Sequence, residues 1–378
     1  MAQRAANTEV EPQTGADVHP SRVPALGDLP PAAHAARWQA AVGVRPQAAL
    51  LACTALTRAT LLDDVPFEAA LASLPRAARR DLPGLVAPPA EAALVQAQRA
   101  ADATVKLLVR YDDGALVESV IIPSRRGEAG GRTTLCVSSQ VGCGRRCAFC
   151  ATGTLGLRRQ LSADEIVAQL RVARRYWTEH AGESPPIGNI VFMGMGEPLD
   201  NLDAVCDAID VLRDDRAFGL AASRITVSTV GVADRVLRFL ARSPARIAVS
   251  LHAPDDARRE ALMPVNRRTG LQALKSALQR GLTGGREVLV AYILFDGLND
   301  ADADADLLAA WLDGLPARLN LIPANPGPDP GLRAPSDERV RAFQRRLLDA
   351  GIRALVRWPH GRDVAGACGQ LAVAAEAR

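Results

Sequence analysis

Apolar positions along this chain fall into two rhythms, and the change from one to the other marks its organisation. Over residues 1–33 no rhythm is sustained: Pro, Ala and small polar residues dominate, which predicts a disordered tail. From 34 to 100 the period is helical. FEAALASL, after Pro66, sets Phe67, Ala70, Leu71 and Leu74 at i, i+3, i+4 and i+7. Pro75, Pro83, Pro88 and Pro89 cut this region into short helices, so it reads as a small helical accessory domain. Strand signals begin near Thr104 within a third region, 101–378. TVKLLVR and LVESVIIP flank YDDGA, whose Asp113-Gly114 is a hairpin turn. TTLCVS follows as a third strand. Five more strands are predicted at 188–194, 224–230, 246–251, 287–295 and 318–324. Helical stretches lie near 162–179, 201–214, 232–242, 269–281, 301–313 and 335–350. Asn201 and Ser162 are candidate N-caps, and Glu165 completes a capping box with Ser162. Counting TTLCVS, six strands are each followed by a helix. Repeated βα units mean an α/β fold with parallel strands, as an open sheet or as a barrel.

Composition narrows the class. The chain has 378 residues, 48% hydrophobic and 23% charged, the balance of an ordinary globular protein. No run approaches the roughly 18–20 continuous apolar residues a membrane helix needs, and the N-terminal stretch has no apolar h-region, so neither a membrane protein nor a secreted one is expected. The net charge of +3 permits an RNA partner without arguing for one. Only Lys106 and Lys275 are lysines among 45 basic residues. Seven cysteines without an export signal point to metal binding or catalysis in a reducing cytoplasm rather than to a disulfide framework.

Three of those cysteines, Cys143, Cys147 and Cys150, lie in CGRRCAFC, in the loop after a strand. Thiolates so closely spaced hold three corners of a four-iron, four-sulfur cluster. A structural zinc site would want a fourth ligand in a second pair, and none follows. The open iron that remains is where a substrate or cofactor binds. Phe149, just before the third cysteine, completes a pattern that resembles the radical S-adenosylmethionine superfamily. That resemblance implies a partial (βα)6 barrel, with S-adenosylmethionine bound to the open iron and cleaved to a 5′-deoxyadenosyl radical. GMGEP (194–198) ends a predicted strand, where glycines let a ligand approach the backbone. Alone it is an ordinary tight turn; with the cluster it matches the element that meets the methionine end of the cofactor.

Cys136 and Cys368, taken singly, are buried inert thiols. With the cluster, the ordered motifs LCVSSQVGC, CAFCATG, FMGMGEP, SLHAP, MPVN, GLND, NLIPANP and ACGQL, between Thr104 and Ala372, resemble the radical S-adenosylmethionine RNA adenosine methyltransferases of the RlmN/Cfr family. The resemblance implies a ping-pong route that consumes two S-adenosylmethionine molecules per turnover. One methylates Cys368; the second generates the radical that takes a hydrogen from that S-methyl group. The methylene radical adds to the adenine ring, Glu118 removes the ring proton, and Cys136 attacks the thioether sulfur to release product, leaving a disulfide. Gly196, Glu197, Ser228, Ser250, Leu251, His252 and Asn325 carry over as cofactor-binding positions, with His252 lining the pocket rather than binding iron. Arg145, Arg146, Arg158 and Arg159 flank the cluster loop, to meet phosphates or simply water.

The implied partner is RNA, ribosomal first and transfer RNA second, modified at adenine C2 or, in a sister reading, at C8. A flavodoxin-type electron donor and a monomeric state complete the expectation. Two other classes stay open: a radical enzyme acting on a peptide or small molecule, and a non-catalytic iron–sulfur RNA-binding module. The chain departs from the family pattern at Ala324, where an aromatic is usual, and at Trp358-Pro359-His360, where a polar or basic stretch is usual. The first 100 residues match loosely.

Overall fold

A computed structural model describes residues 23–124, 131–182 and 184–373. Four short helices come first: α1 (Pro31–Val42), α2 (Pro46–Thr57), α3 (Phe67–Ala72) and α4 (Arg76–Asp81). Pro opens α1 and α2 at the position where a missing N–H costs nothing. Their buried sides meet around Trp38, whose indole donates to Asp81 at 3.1 Å, with Cys53, Leu56, Phe67 and Leu71 in the same core.

Three antiparallel strands follow: β1 (Ala92–Arg99), β2 (Val105–Tyr111) and β3 (Leu116–Ile122). β4 (Thr133–Cys136) pairs antiparallel with β3. A two-stranded ribbon, β5 (Gln140–Cys143) and β6 (Gly156–Gln160), then flanks the cysteine loop and its short helix α5 (Ala151–Thr154). The repeating part comprises α6 (Ala163–His180), β7 (Ile187–Phe192), α7 (Leu202–Arg213), β8 (Ile225–Thr229), α8 (Ala233–Arg242) and β9 (Arg246–Ser250). It continues through α9 (Asp256–Leu262), α10 (Leu271–Gly281), β10 (Val288–Leu294), α11 (Asp302–Leu312), β11 (Ala317–Pro323), α12 (Asp337–Asp349) and β12 (Ala354–Val356).

These strands make one ten-stranded sheet in the order β1-β2-β3-β4-β7-β8-β9-β10-β11-β12, parallel from β4 onward. β1 and β12 are its two edges, so the parallel strands form a partial barrel that does not close on itself. Each parallel pairing needs a crossover, and the helices supply it. Helix α6 begins with the expected box: Glu165 N–H donates to Ser162 Oγ at 3.1 Å, and Ser162 N–H to Glu165 Oε2 at 2.8 Å.

The structure departs from the sequence reading in several places. Residues 1–22 lie outside the described residues, but 23–33 are built into the fold: Ala25 bridges Ala87 and Leu26 is fully buried. Two leucines among prolines give no period, yet Leu26 joins the hydrophobic core. Residues 92–99 are not helical; they form β1, because the free edge of β2 offers a ladder to a segment of weak intrinsic preference. Asn201 does not cap α7. Its amide instead donates to the Ser139 and Leu161 carbonyls at 2.9 and 2.7 Å, tying the loop after β4 to the start of α6. The ribbon β5–β6, helix α9 and strand β12 are too short to carry a period.

Candidate active site

The C-terminal ends of the parallel strands open on one mouth, and the candidate residues gather there. Cys143 ends β5, and Cys147 and Cys150 follow in the loop, where Cys150 N–H donates to Cys147 O at 3.1 Å. The three thiols stand on one turn of chain, within eight residues, as the donors a cluster would draw together. Burial pushes Cys143 up to about 12 and Cys147 higher still. An iron ion removes such protons on binding, and an all-thiol set suits an iron–sulfur cluster. Phe149 packs edge-on against His252, ring centroids 4.9 Å apart, and tilted against Phe295 at 6.0 Å.

The second loop, Gly194-Met195-Gly196, is laced to residues 137–140. Gly194 N–H donates to Val137 O at 3.1 Å, Met195 N–H to Ser138 Oγ at 2.8 Å, and Ser139 N–H to Met195 O at 2.9 Å. Gly196 has φ +105°, and a Cβ there would stand 2.7 Å from Gln140 Cβ. The close approach that requires these glycines is thus made by this chain's own loop. Met195 reaches through to β3, where its sulfur accepts from Glu118 N–H at 3.3 Å.

Glu197 is held on all sides. Its carboxylate accepts from Thr229 Oγ1 at 2.6 Å, Val230 N–H at 2.9 Å and Leu199 N–H at 3.1 Å, joining the ends of β7 and β8. Burial raises its pKa against those three donors, and its place in this structure is that of a brace. Ser228 and Ser250 are half-buried near the ends of β8 and β9. Leu251 is wholly buried. His252 takes a left-handed φ of 59°, rare for a side-chain-bearing residue, and its Nδ1 accepts from Ile293 N–H at 3.0 Å. Burial depresses its pKa to about 3, so the ring is neutral.

Residues 361–373 form a strap that runs between the two edges of the open sheet. Gly361 N–H donates to Asp102 Oδ2 at 3.0 Å, beside β2. Ala151 N–H donates to Gly369 O at 2.8 Å, and Thr152 Oγ1 to Leu371 O at 2.6 Å, fastening the strap to the cluster loop. A Cβ at Gly369, φ +82°, would sit 3.0 Å from Phe149 O. Asn325 donates to Cys368 O at 3.0 Å while its own Oδ1 accepts from Arg362 at 2.9 Å, so both ends of its amide hold the strap. Cys368 opens to solvent, yet the protein packed around its sulfur, with Cys150 nearby, raises its pKa.

Cys136 is buried at the end of β4, opposite Val120, and within electrostatic reach of Cys368. Glu118 is two residues from Val120 on the same face of β3, a diagonal neighbour of Cys136 at roughly 7–8 Å by sheet geometry. Its Oε1 pairs with Lys106 Nζ at 3.2 Å, the side chains 5% and 14% exposed. Its Oε2 is buried without a hydrogen-bond partner. Burial raises the Glu118 pKa, and Lys106 opposes the rise. Sequence reasoning missed Lys106; its signal was a lysine kept in an arginine-dominated chain.

Two of the four flanking arginines are occupied. Arg145 shares Asp200 with Arg235, and Arg159 binds Glu165 and Asp113 at 2.8 and 2.7 Å. Arg146 and Arg158 are exposed and pair with no carboxylate among the described residues. Cys53 and Cys206 are buried far up the thiol range, at about 12 each, consistent with inert packing.

An open parallel barrel with a three-thiol loop at its mouth defines a radical S-adenosylmethionine enzyme, and residues 137–309 match the Radical SAM superfamily model. Such an enzyme carries a four-iron, four-sulfur cluster and binds S-adenosylmethionine. Relatives narrow the class. A protein of Sorangium cellulosum named as a probable RNA methyltransferase is 59% identical over 279 residues, 74% of this chain and 68% of the relative. The dual-specificity RNA methyltransferase RlmN 2 of Myxococcus xanthus is 42% identical over 277 residues, 72% of each chain. The crystal structure of a radical SAM methyltransferase from Sphaerobacter thermophilus superposes with a TM-score of 0.80 at 39% identity, covering 92% of this chain and 99% of that one. The chain belongs to the radical S-adenosylmethionine RNA methyltransferases of the RlmN/Cfr family. Among the described residues, no helix is long and apolar enough to cross a membrane.

Proposed function

We propose that this enzyme methylates an adenine ring carbon in RNA, C2 first and C8 as the sister reading, by way of a methyl group carried on Cys368. Large-subunit ribosomal RNA is the first substrate and transfer RNA the second. What supports the reading is that the strap carrying Cys368 is fastened to the cluster loop, while Cys136 and the buried Glu118 carboxylate lie on the adjoining strands β4 and β3, with Cys136 feeling the charge of Cys368.

When bound, the cluster on Cys143, Cys147 and Cys150 and two molecules of S-adenosylmethionine supply one methyl group and one hydrogen-abstracting radical per turnover. Gly196, Ser228, Ser250, Leu251 and His252 line the cofactor's place, with Glu197 and Asn325 bracing it. Cys368 Sγ carries the methyl group; after loss of one hydrogen its methylene joins the adenine carbon. Glu118 Oε2, unpartnered, would accept the ring proton, and the electron given up by the adduct would return to the cluster, oxidised when it cleaved the cofactor. Cys136, as thiolate, then attacks Cys368 Sγ. The sulfur–carbon bond breaks, its electron pair passes to the methylene carbon and is quenched by a proton, and a Cys136–Cys368 disulfide remains for external reduction. A flavodoxin-type donor suits the single-electron input, and the chain acts as a monomer in the cytoplasm.

The test is Cys136→Ala. Under anaerobic turnover with RNA it should accumulate a covalent protein–RNA species on a denaturing gel, and Cys368→Ala should abolish that species. Release of free methylated RNA by Cys136→Ala at the wild-type rate would remove the resolving thiol from the account. Cofactor cleavage with no RNA product in any variant would leave a radical enzyme with another substrate.

A further inference from the structure

Beneath the cluster loop lies a cation that neither the cofactor residues nor the two reactive thiols explain. Arg259, on α9, is 0% exposed. Its guanidinium donates to Val230 O at 2.6 Å, Asn266 Oδ1 at 2.7 Å, Leu251 O at 3.2 Å and Ser250 O at 3.2 Å. Every one of these acceptors is neutral. Among the described residues no carboxylate forms an ion pair with it. Asp256, the acid that most affects it, is committed to Asn266 Nδ2 and Leu271 N–H, each at 2.8 Å. A fully buried charge needs an opposite charge, because desolvation costs several kcal/mol per ion by general estimate.

Cys147 of the cluster loop, a thiolate once a cluster is bound, is the group whose charge acts most on Arg259. That loop is pinned to the same helix, since Ala148 N–H donates to Leu262 O at 2.9 Å. The surroundings are dry: Val230, Leu262, Met263, Val265 and Phe295 form a small apolar core against which Cys147 and Phe149 pack. Charges interact strongly across such a medium. A cluster held by three thiolates is an anion, and an added electron makes it more so; local charge and hydrogen bonding set its potential.

We infer that Arg259 is the buried counter-ion of the iron–sulfur cluster, favouring the reduced state and transmitting cluster occupancy to the ends of β8 and β9. Its hydrogen bonds end on the carbonyls of Val230, Ser250 and Leu251, beside the positions assigned to the cofactor. Filling the cluster therefore relieves an unbalanced charge and tightens the cofactor side of the mouth in one event. The inference rests on the cluster alone and stands whichever RNA, or other substrate, the enzyme modifies.

The experiment compares wild type, Arg259→Gln and Arg259→Lys, each prepared anaerobically without and with cluster. Two quantities are read: the increase in melting temperature on loading, and the midpoint of an EPR-monitored redox titration. Arg259→Gln should show a smaller increase on loading than wild type and a more negative midpoint, lowering the reduced-to-oxidised ratio at a fixed poise by about tenfold or more. Arg259→Lys, which keeps the charge but loses the guanidinium fork, should be less stable in both forms yet titrate like wild type. Equal loading increments and equal midpoints in wild type and Arg259→Gln would reduce Arg259 to a scaffold and overturn the inference. Should Arg259→Gln fail to fold, Arg259→Lys decides alone: a midpoint that falls with its stability would overturn the inference, and an unchanged midpoint would support it.

Discussion

Replacing Lys106 by Met keeps the length and apolar stem of the side chain while removing the one cation paired with Glu118 among the described residues. The pair is 3.2 Å apart and nearly enclosed. At that separation and an effective dielectric constant near 20 the attraction is about 5 kcal/mol before desolvation is set against it. Stripping one partner from a buried pair typically costs about 3–5 kcal/mol if the other stays charged. Glu118 has a cheaper course, which is to hold a proton. Burial already raises its pKa, and Lys106 is the largest influence opposing the rise. Around its carboxylate stand Lys106 from β2, the Ala372 backbone on the strap and, diagonally on β4, Cys136, so among the described residues no second cation stands ready to compensate. The sign follows directly. A base must be ionised, ionisation grows as pH rises through the folded pKa, and loss of Lys106 raises that pKa. Near neutral pH, Lys106→Met should therefore form product about 10- to 100-fold more slowly, within the range a general base contributes. Mildly alkaline pH should recover much of the loss. The assay is single-turnover methylation under anaerobic conditions, with nucleosides quantified by mass spectrometry across the pH range. Lys106→Arg should restore part of the rate, and Glu118→Gln should lose it at every pH. A Lys106→Met profile that keeps the wild-type acid limb, or falls by one factor at all pH values, would refute the reasoning.

Two further predictions concern the frame around the site. Gly196→Ala meets Gln140 at 2.7 Å and a φ of +105°. It should lower stability by about 2 kcal/mol or more, read as a drop in melting temperature together with weaker S-adenosylmethionine binding by calorimetry; a neutral effect would show that the loop yields easily. Asp164 is buried where α6 meets Gly27 and Ala90, and its pKa is raised from 3.8 to about 7, chiefly by desolvation. The unfolded chain releases that proton first, so stability falls as pH rises between these values and the penalty is complete above them. Asp164→Asn should then stabilise by on the order of 4 kcal/mol at alkaline pH, with the gain fading in acid. Melting curves across pH check this, and a gain independent of pH would contradict it.

Much of this architecture is legible in the sequence, because periodicity is a local property. The parallel strands from TTLCVS to RLNLIPA and their helices are readable from alternation and caps. The cluster loop is readable from three thiols in eight residues. What was not legible depends on partners far along the chain. Leu26 carries no period, yet it is buried; residues 92–99 become a strand because β2 has a free edge. Asn201 looks like a cap and serves as a clamp on two carbonyls. Arg159 reads equally as a phosphate contact or a solvated side chain until Asp113 and Glu165 enclose it. Lys106 and Arg259 are invisible as motifs, since each takes its meaning from a group that only the fold brings near.

The proposed chemistry sends the methyl group through Cys368, and a labelled cofactor follows that group itself. The reconstituted enzyme is given methyl-deuterated S-adenosylmethionine and RNA without oxygen, and the RNA is digested and weighed as nucleosides. A methyladenosine whose new methyl group carries two deuteriums, absent from Cys368→Ala, is the predicted result, because the radical removes one deuterium before transfer. A methyladenosine that retains all three, or one still formed by Cys368→Ala, would contradict it.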